Sequence, residues 1–279
     1  MMKTGGILLP LALSGLLGLS LTGCAGQDKA GTPAAKAPAD PKAALAGSVA
    51  AVKDGNYAFA VKAPNVQGSG VIHLPSKSAT VTYESTAADG EGTFEIRYVE
   101  PDRWTKATVA GMAPELSGAD LNDPQMKDLK QLAEMFSGKY WLHQDTSTTK
   151  NAATKGIAVD FADPDVTGIS DFIGAVSAAQ GDAHTITGTI DGTKITDDGF
   201  LSADDIKAAG AAASAMPFSA ALDDQGRLST LEMDVPKMGE TPAGKWTVQI
   251  SGYGEQKPQE KPTGDIKEMT PEAAAMVNG

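Results

Sequence analysis

Cysteine is nearly absent from this chain, since Cys24 is the only one in 279 residues. An internal disulfide is therefore excluded, and so is a zinc site built from several thiolates. Histidine is scarce as well: His73, His143 and His184 stand far apart, without the i,i+4 spacing of a helical zinc site. We accordingly expect no metal and no cofactor.

Basic residues are few relative to acidic ones, 23 Lys and Arg against 35 Asp and Glu, which gives a formal net charge of -12. An acidic chain repels phosphates, so neither nucleic acid nor the acidic headgroups of lipids are expected as electrostatic partners. A complete phosphate-binding loop, a dinucleotide fingerprint and a Gly-x-Ser-x-Gly nucleophile motif are also absent. We therefore expect no enzymatic activity and no catalytic residues.

Long apolar runs are missing except at the N-terminus, where residues 7–21 follow Lys3. This run is interrupted by Pro10, Gly15 and Gly18, whereas a membrane-spanning helix needs about 20 apolar residues. A positive residue, a short apolar core and small residues before a cleavage point are typical of a secretory signal peptide. We predict that residues 1–23 are this signal and are removed.

The residues at the predicted cleavage point, Leu21-Thr22-Gly23-Cys24, match the lipobox of bacterial lipoproteins. This match explains why an exported chain keeps one unpaired thiol. A diacylglyceryl group on Cys24 would supply two acyl chains such as palmitate, which is sufficient for stable anchoring where one chain is marginal. The sequence thus predicts a protein that is lipid-anchored to the cell membrane on its extracytoplasmic face.

The mature chain divides into three parts by composition. Residues 24–40 are rich in Ala, Gly and Pro without an apolar face, so we expect a flexible tether. Residues 41–254 carry the periodic apolar patterns of a globular domain, and residues 255–279 are rich in Pro, Glu and Lys. We expect this last part to be a loosely ordered tail.

Four helices are predicted from caps and from apolar spacing of three and four residues. The first begins at Asp40-Pro41, and the fourth runs from Ser202 to about Ala213. The second begins at Asp123-Pro124 and the third covers residues 168–179; their apolar stripes are Met126, Leu129, Leu132 and Phe136, and Ile169, Phe172, Ile173 and Val176, respectively.

Alternating apolar and polar residues predict many short strands between these helices. The predicted strands are residues 57–61, 66–74, 79–85, 92–99, 103–109, 140–144, 184–190, 217–222, 228–235 and 246–253. Single helices among many antiparallel strands favour an α+β domain, in which one large curved sheet wraps around a few helices.

Two stretches of the chain resemble a known family. Residues 216–228 (MPFSAALDDQGRL) and 246–254 (WTVQISGYG), with the first helix leading into Tyr57-Ala-Phe-Ala-Val61, resemble the LppX, LprA, LprF and LprG type of actinobacterial lipoproteins in the wider LolA-like group. The resemblance covers nearly the whole globular part but rests on structural hairpins. It implies a half-open antiparallel β-barrel with an apolar cavity between sheet and helices.

The resemblance also implies a function, namely binding the acyl chains of a lipid, glycolipid or lipoprotein for transport or presentation at the cell envelope. The alternative is a non-enzymatic protein-interaction or sensor module that keeps the fold with a filled core. On the first reading, we expect the large apolar residues of the helices and of two strands to line the cavity. These are Trp104, Met126, Leu129, Leu132, Phe136, Trp141, Ile169, Phe172, Ile173 and Val176.

Overall fold

The structure is a computed structural model that describes residues 40–86, 91–110, 133–148, 159–195, 203–239, 241–270 and 274. The helices are α1 (Pro41–Ser48), α2 (Ala50–Lys53), α3 (Ile169–Gly174) and α4 (Ala203–Ala209). The strands are β1 (Asn56–Ala63), β2 (Val66–His73), β3 (Ser78–Ser85), β4 (Gly92–Val99), β5 (Asp102–Val109), β6 (Trp141–Asp145), β7 (Val176–Gly181), β8 (Thr185–Ile190), β9 (Met216–Leu222), β10 (Leu228–Val235), β11 (Gly244–Ser251) and β12 (Ile266–Glu268).

All twelve strands belong to one open sheet with the order β12-β6-β5-β4-β3-β2-β1-β11-β10-β9-β8-β7. Every neighbouring pair is antiparallel except β12 and β6, which run parallel. The prediction of an α+β domain with a large antiparallel sheet and few helices is confirmed.

Helix α1 begins where the sequence predicts, because Asp40 caps it and Pro41 occupies its first position. The Asp40 carboxylate accepts a hydrogen bond from the Lys42 backbone N–H at 2.9 Å. Leu45 and Val52 are buried in the same core as Tyr57 of β1. We call the sheet face that meets these helices the inner face and the opposite one the outer face.

The third predicted helix is shorter than expected. Helix α3 ends at Gly174, where the Ala175 N–H reaches back to the Asp171 carbonyl, and Val176–Gly181 forms the edge strand β7. Val176 continues the apolar spacing of α3, and for this reason the sequence pattern predicts a helix that continues past Gly174. The residues after it, Ser-Ala-Ala-Gln-Gly, offer no further apolar helical position, and pairing with β8 satisfies their backbone groups instead.

The fourth predicted helix also stops early, at Ala209 instead of about Ala213. A 3₁₀ helix, Gly210–Ala215, replaces its last turn. Gly210 takes a φ of +54°, in the left-handed region that ends an α-helix and that glycine adopts without a steric penalty.

The faces of the sheet are set by an unbroken register from β1 to β6. Opposite residues in paired strands share a face, so Phe59 on β1 lies beside Gly70 on β2 on the inner side. A Cβ at Gly70 would lie 2.7 Å from the Phe59 ring. Glycine at this position therefore makes room for the aromatic ring over the neighbouring strand.

The C-terminal segment corrects a prediction, because its residues as far as 270 are not loosely attached. Residues 254–268 cross the outer face from β1 to β6 and end in β12, and Pro262 within them is buried. We call residues 254–268 the strap. Its hydrogen bonds, in chain order, join the Gly254 N–H to the Asn56 carbonyl (2.8 Å), the Gln256 N–H to Asn56 Oδ1 (2.9 Å), the Gln259 N–H to Ser78 Oγ (2.8 Å), Arg97 Nη1 to the Glu260 carbonyl (3.4 Å) and the Trp141 N–H to the Asp265 carbonyl (2.9 Å).

A histidine on β6 contacts two carboxylates and links the C-terminal end of the strap to β5. His143 Nε2 lies 2.7 Å from Asp102 Oδ1 on β5, and His143 Nδ1 lies 2.9 Å from Glu268 Oε1 on β12. Burial opposes protonation of His143, but the hydrogen bonds and charges of Asp102 and Glu268 outweigh it, so the pKa of His143 is raised. Lys267, on the same strand as Glu268, contacts the Tyr140 ring, with Nζ 3.7 Å from its centroid.

This raised pKa predicts a pH dependence of the strap. A raised histidine pKa stabilises the folded state fully below the unfolded value of about 6.5, and this contribution is lost as the pH rises through the folded-state value. We expect the amides of Lys267 and Met269, corrected for intrinsic rates, to lose hydrogen-exchange protection as the pH rises from 6 to about 8.5.

The matched variant for this prediction is His143→Gln, which keeps a polar side chain between the carboxylates but does not titrate. It should remove most of the pH dependence while keeping the strap in place. The same pH dependence in both proteins would contradict the assignment to His143.

Candidate functional site

A row of mostly apolar residues crosses the inner face from strand to strand. Register pairs Val61 with Gly68, Gly68 with Tyr83, Tyr83 with Phe94, and Phe94 with Ala107. We call these five residues the inner row. Because opposite residues share a face, their side chains form a continuous strip from β1 to β5.

The inner row joins two hydrophobic clusters. The main core contains the buried residues of α1, α3 and most strands, and Tyr83 packs against it. The second core consists of Ala107, Met135, Phe136, Tyr140 and Leu142, and Phe94 packs against it. The Tyr83 and Phe94 rings stack with centroids 4.6 Å apart and an interplanar angle of 3°. Both rings are half-buried, whereas Val61 and Ala107 at the two ends of the inner row are buried.

Tyr83 places a hydroxyl in these apolar surroundings. Burial raises the pKa of Tyr83 above its usual value, so the side chain remains a neutral hydrogen-bond donor. Among the residues that the structure describes, its hydroxyl has no hydrogen-bond partner. The pair therefore offers an apolar surface of about two aromatic rings with one donor at its edge.

The predicted cavity residues of α3 and β7 lie together in the main core. Ile169, Phe172, Ile173 and Val176 are all buried there. Phe136 is also buried but belongs to the second core. The structure thus separates these residues into two clusters on the same side of the sheet. Met126, Leu129, Leu132 and the lipidation candidate Cys24 lie outside the described residues.

The two tryptophans expected in the cavity lie on the wrong face for that role. Trp104 is opposite Arg97 and His143 on the outer face, and Trp141 alternates with the inward-facing Leu142. Both indoles are buried near the strap, and the Arg97 guanidinium carbon lies 5.6 Å from the Trp141 ring centroid. The resemblance implies that these large apolar residues line the cavity, but strand alternation places both on the outer face.

Residues of the inner row were missed by the sequence reasoning, although a signal was present. Val81 and Tyr83 alternate on β3, and Phe94 and Ile96 alternate on β4, with the same period as the recognised core positions. Trp246, which alternates with Val248 on β11, was missed as a site residue for the same reason. Following the alternation across neighbouring strands would have placed all of them on one face.

A shallow groove of about 440 Å³ lies on the outer face rather than the inner one. Its side chains include Lys62, Gln67, Thr82, Glu84 and Gln249, and Gln67 donates a 2.7 Å hydrogen bond to Glu84. These polar groups do not suit an alkyl chain, because each would lose its contact with water. Val61, Gly68 and Tyr83 of the inner row also line the groove, but the side chains that alternate with them there are polar.

Several carboxylates and histidines in the described ranges have structural partners. His73 Nδ1 lies 2.6 Å from Ser76 Oγ, and Asp165 accepts hydrogen bonds from the backbone at the start of α3, including Ser170 N–H at 2.8 Å. Within these ranges, no group of three or more His, Cys, Asp or Glu side chains is arranged to hold a metal ion.

No protein-family model matches the chain. No curated protein matches it either. Among the helices that the structure describes, none combines the length and the apolar composition required to cross a bilayer.

Proposed function

We propose that this protein is a membrane-anchored lipoprotein that binds the acyl chains of a lipid, glycolipid or lipoprotein, for transport or presentation at the cell envelope. In this proposal, the sheet is the half-open barrel of the LolA-like group and the chains lie along its inner face. The observation that carries the proposal is the half-buried, stacked Tyr83–Phe94 pair between two apolar cores.

Apolar contact is the driving force in this proposal. Each methylene that leaves water contributes about 0.8 kcal/mol, whatever the headgroup, so selectivity for the lipid would be broad. The inner row provides such a surface on one side of the sheet, while the polar groups of the outer face remain in water. Binding at the pair would also connect the two cores through a shared ligand.

The alternative function, a protein-interaction or sensor module with a filled core, is favoured by a different observation. Ile169 and Leu45 are fully buried, and Phe172 and Ile173 nearly so, in the space between the helices and the sheet. A core filled at this end leaves the Tyr83–Phe94 end as the place where the two functions differ. The experiment below therefore targets that end.

Phe94→Asp tests the acyl-chain proposal, because an alkyl chain bound along the inner row would remove water from the carboxylate, which is unfavourable. We expect diacyl lipids to bind the wild-type protein more tightly as their chains lengthen from octanoyl to hexadecanoyl, by up to about 15-fold for each added pair of methylenes that leaves water. Phe94→Asp should weaken hexadecanoyl binding by more than about ten-fold, as measured by native mass spectrometry.

The neighbouring residue supplies the control for this test. Thr93 is exposed on the outer face of the same strand, so Thr93→Asp adds the same charge without reaching the inner row. Phe94→Leu serves as a second variant that keeps an apolar side chain if the aspartate prevents folding, and it should still bind. Equal binding by all folded variants, or no dependence on chain length, would contradict the proposal.

Membrane anchoring makes a separate prediction at Cys24. Cys24→Ser cannot form the thioether to diacylglycerol, so we expect an intact mass without the lipid and loss of the protein from the detergent phase on partitioning. Thr22→Ser, which keeps a small residue before the cleavage point, should retain both properties. Unchanged mass and partitioning of the Cys24 variant would rule out this anchor.

A further inference from the structure

Trp246 carries a buried hydrogen-bond donor on the inner face of the sheet. Its position on β11, opposite Met233 on β10, places the indole on the inner face, where the side chain is 5% exposed. The indole Nε1–H is buried and has no hydrogen-bond partner within the part of the chain that the structure describes. An indole N–H can only donate, so no rotation of the group removes the need for an acceptor.

A buried donor without an acceptor is costly. Folded proteins pair about 90% or more of their buried polar groups, because leaving one unpaired costs about 1–3 kcal/mol. Met233 opposite Trp246, and Phe218 and Val235 on the same face, are apolar and have no acceptor oxygen in their side chains. An acceptor oxygen of a bound molecule would satisfy the indole N–H.

Thr105 on the inner face is in the same condition, because its Oγ1 is buried and has no hydrogen-bond partner among the described residues. The Tyr83 hydroxyl also has no partner there, but its side chain is only half-buried. Trp246 and Tyr83 lie on strands three spacings apart, about 14 Å along the sheet. A molecule that bonds to both donors would therefore be extended and carry more than one acceptor oxygen.

The charge around Trp246 decides which acceptor fits. The cations on the adjacent residue and on β1, Lys245 and Lys62, alternate to the outer face. A carboxylate or phosphate beside Trp246 would therefore be buried without a counter-charge, which is strongly unfavourable. An ester carbonyl accepts a hydrogen bond without carrying a net charge, and it joins directly to an acyl chain.

We propose that the Trp246 indole N–H donates a hydrogen bond to an ester carbonyl of the bound lipid, so that the protein selects ester-linked acyl lipids over ether-linked ones. This inference rests on the proposed function and specifies its ligand class. The acyl chain would then extend from Trp246 across β1 and β2 towards the Tyr83–Phe94 pair.

The test compares two lipids and two proteins. The lipids share headgroup and chain length, and one is diacyl with ester linkages while the other is dialkyl with ether linkages. Trp246→Phe keeps an aromatic ring but removes the N–H. We expect the wild-type protein to bind the ester lipid about two- to ten-fold more tightly than the ether lipid, which is the range of one neutral hydrogen bond. Trp246→Phe should lose this preference and bind the ether lipid as tightly as the wild-type protein does.

Trp104→Phe on the outer face is the matched control and should retain the preference. If Trp246→Phe does not fold, the indole ¹H–¹⁵N resonance of Trp246 in the unchanged protein provides a second readout. It should move downfield with the ester lipid and not with the ether lipid.

The outcomes separate the two proposals. If Trp246→Phe weakens the binding of both lipids equally, or keeps the ester preference, the role of the N–H is overturned. The proposal that the wild-type protein binds acyl chains would still stand. Failure of the unchanged protein to bind either lipid would overturn the proposed function itself, and this inference with it.

Discussion

The unbroken antiparallel register from β1 to β6 is the constraint on which the rest of the structure depends. Because side chains alternate between faces with a period of two, a slip of one residue anywhere in this region would exchange the two faces. The register instead keeps Val61, Tyr83 and Phe94 on the inner side and Lys62, Thr82 and Thr93 on the outer side. Among the described strands, the register shifts lie beyond β11, between β9 and β10 and between β7 and β8.

Different segments of the chain cover the two faces. The inner face meets α1 and α3 at one end, while the Tyr83–Phe94 pair at the other end remains half-buried. The outer face is crossed by the strap, which ends in a short parallel strand, and Trp104 and Trp141 are buried on this face. That strand bears Lys267 and Glu268, and charges of this kind protect a sheet edge from pairing with other chains.

Much of the sheet follows from the sequence because alternation and caps are local signals. Asp40-Pro41 marks the start of α1, and the alternation in Tyr57, Phe59 and Val61 marks β1, where the structure has them. The boundary between α3 and β7 did not follow, because Val176 fits both a helical stripe and a buried strand position. Only the pairing of β7 with β8 decides between them, and that contact is distant in sequence.

The candidate site was less predictable than the fold. Size and apolarity suggested Trp104 and Trp141, but which face a side chain occupies depends on the register of several strands together. The strap was missed for a related reason: residues 254–268 have no periodic pattern, and backbone hydrogen bonds and the buried Pro262 hold them to the sheet. The sequence shows the Trp246 donor and the His143 imidazole only as residue types, and no pattern in it predicts the burial of the one or the carboxylate partners of the other.

The central claim, that the inner face holds acyl chains, is tested most directly by native mass spectrometry with lipid extraction on a soluble form that begins at Ala25 and is purified from the natural host. The account predicts a stoichiometric acyl lipid that remains bound through purification and is absent from the Phe94→Asp protein. A protein that is isolated without lipid, and remains so after incubation with envelope lipids, would contradict the claim and favour a protein-interaction module.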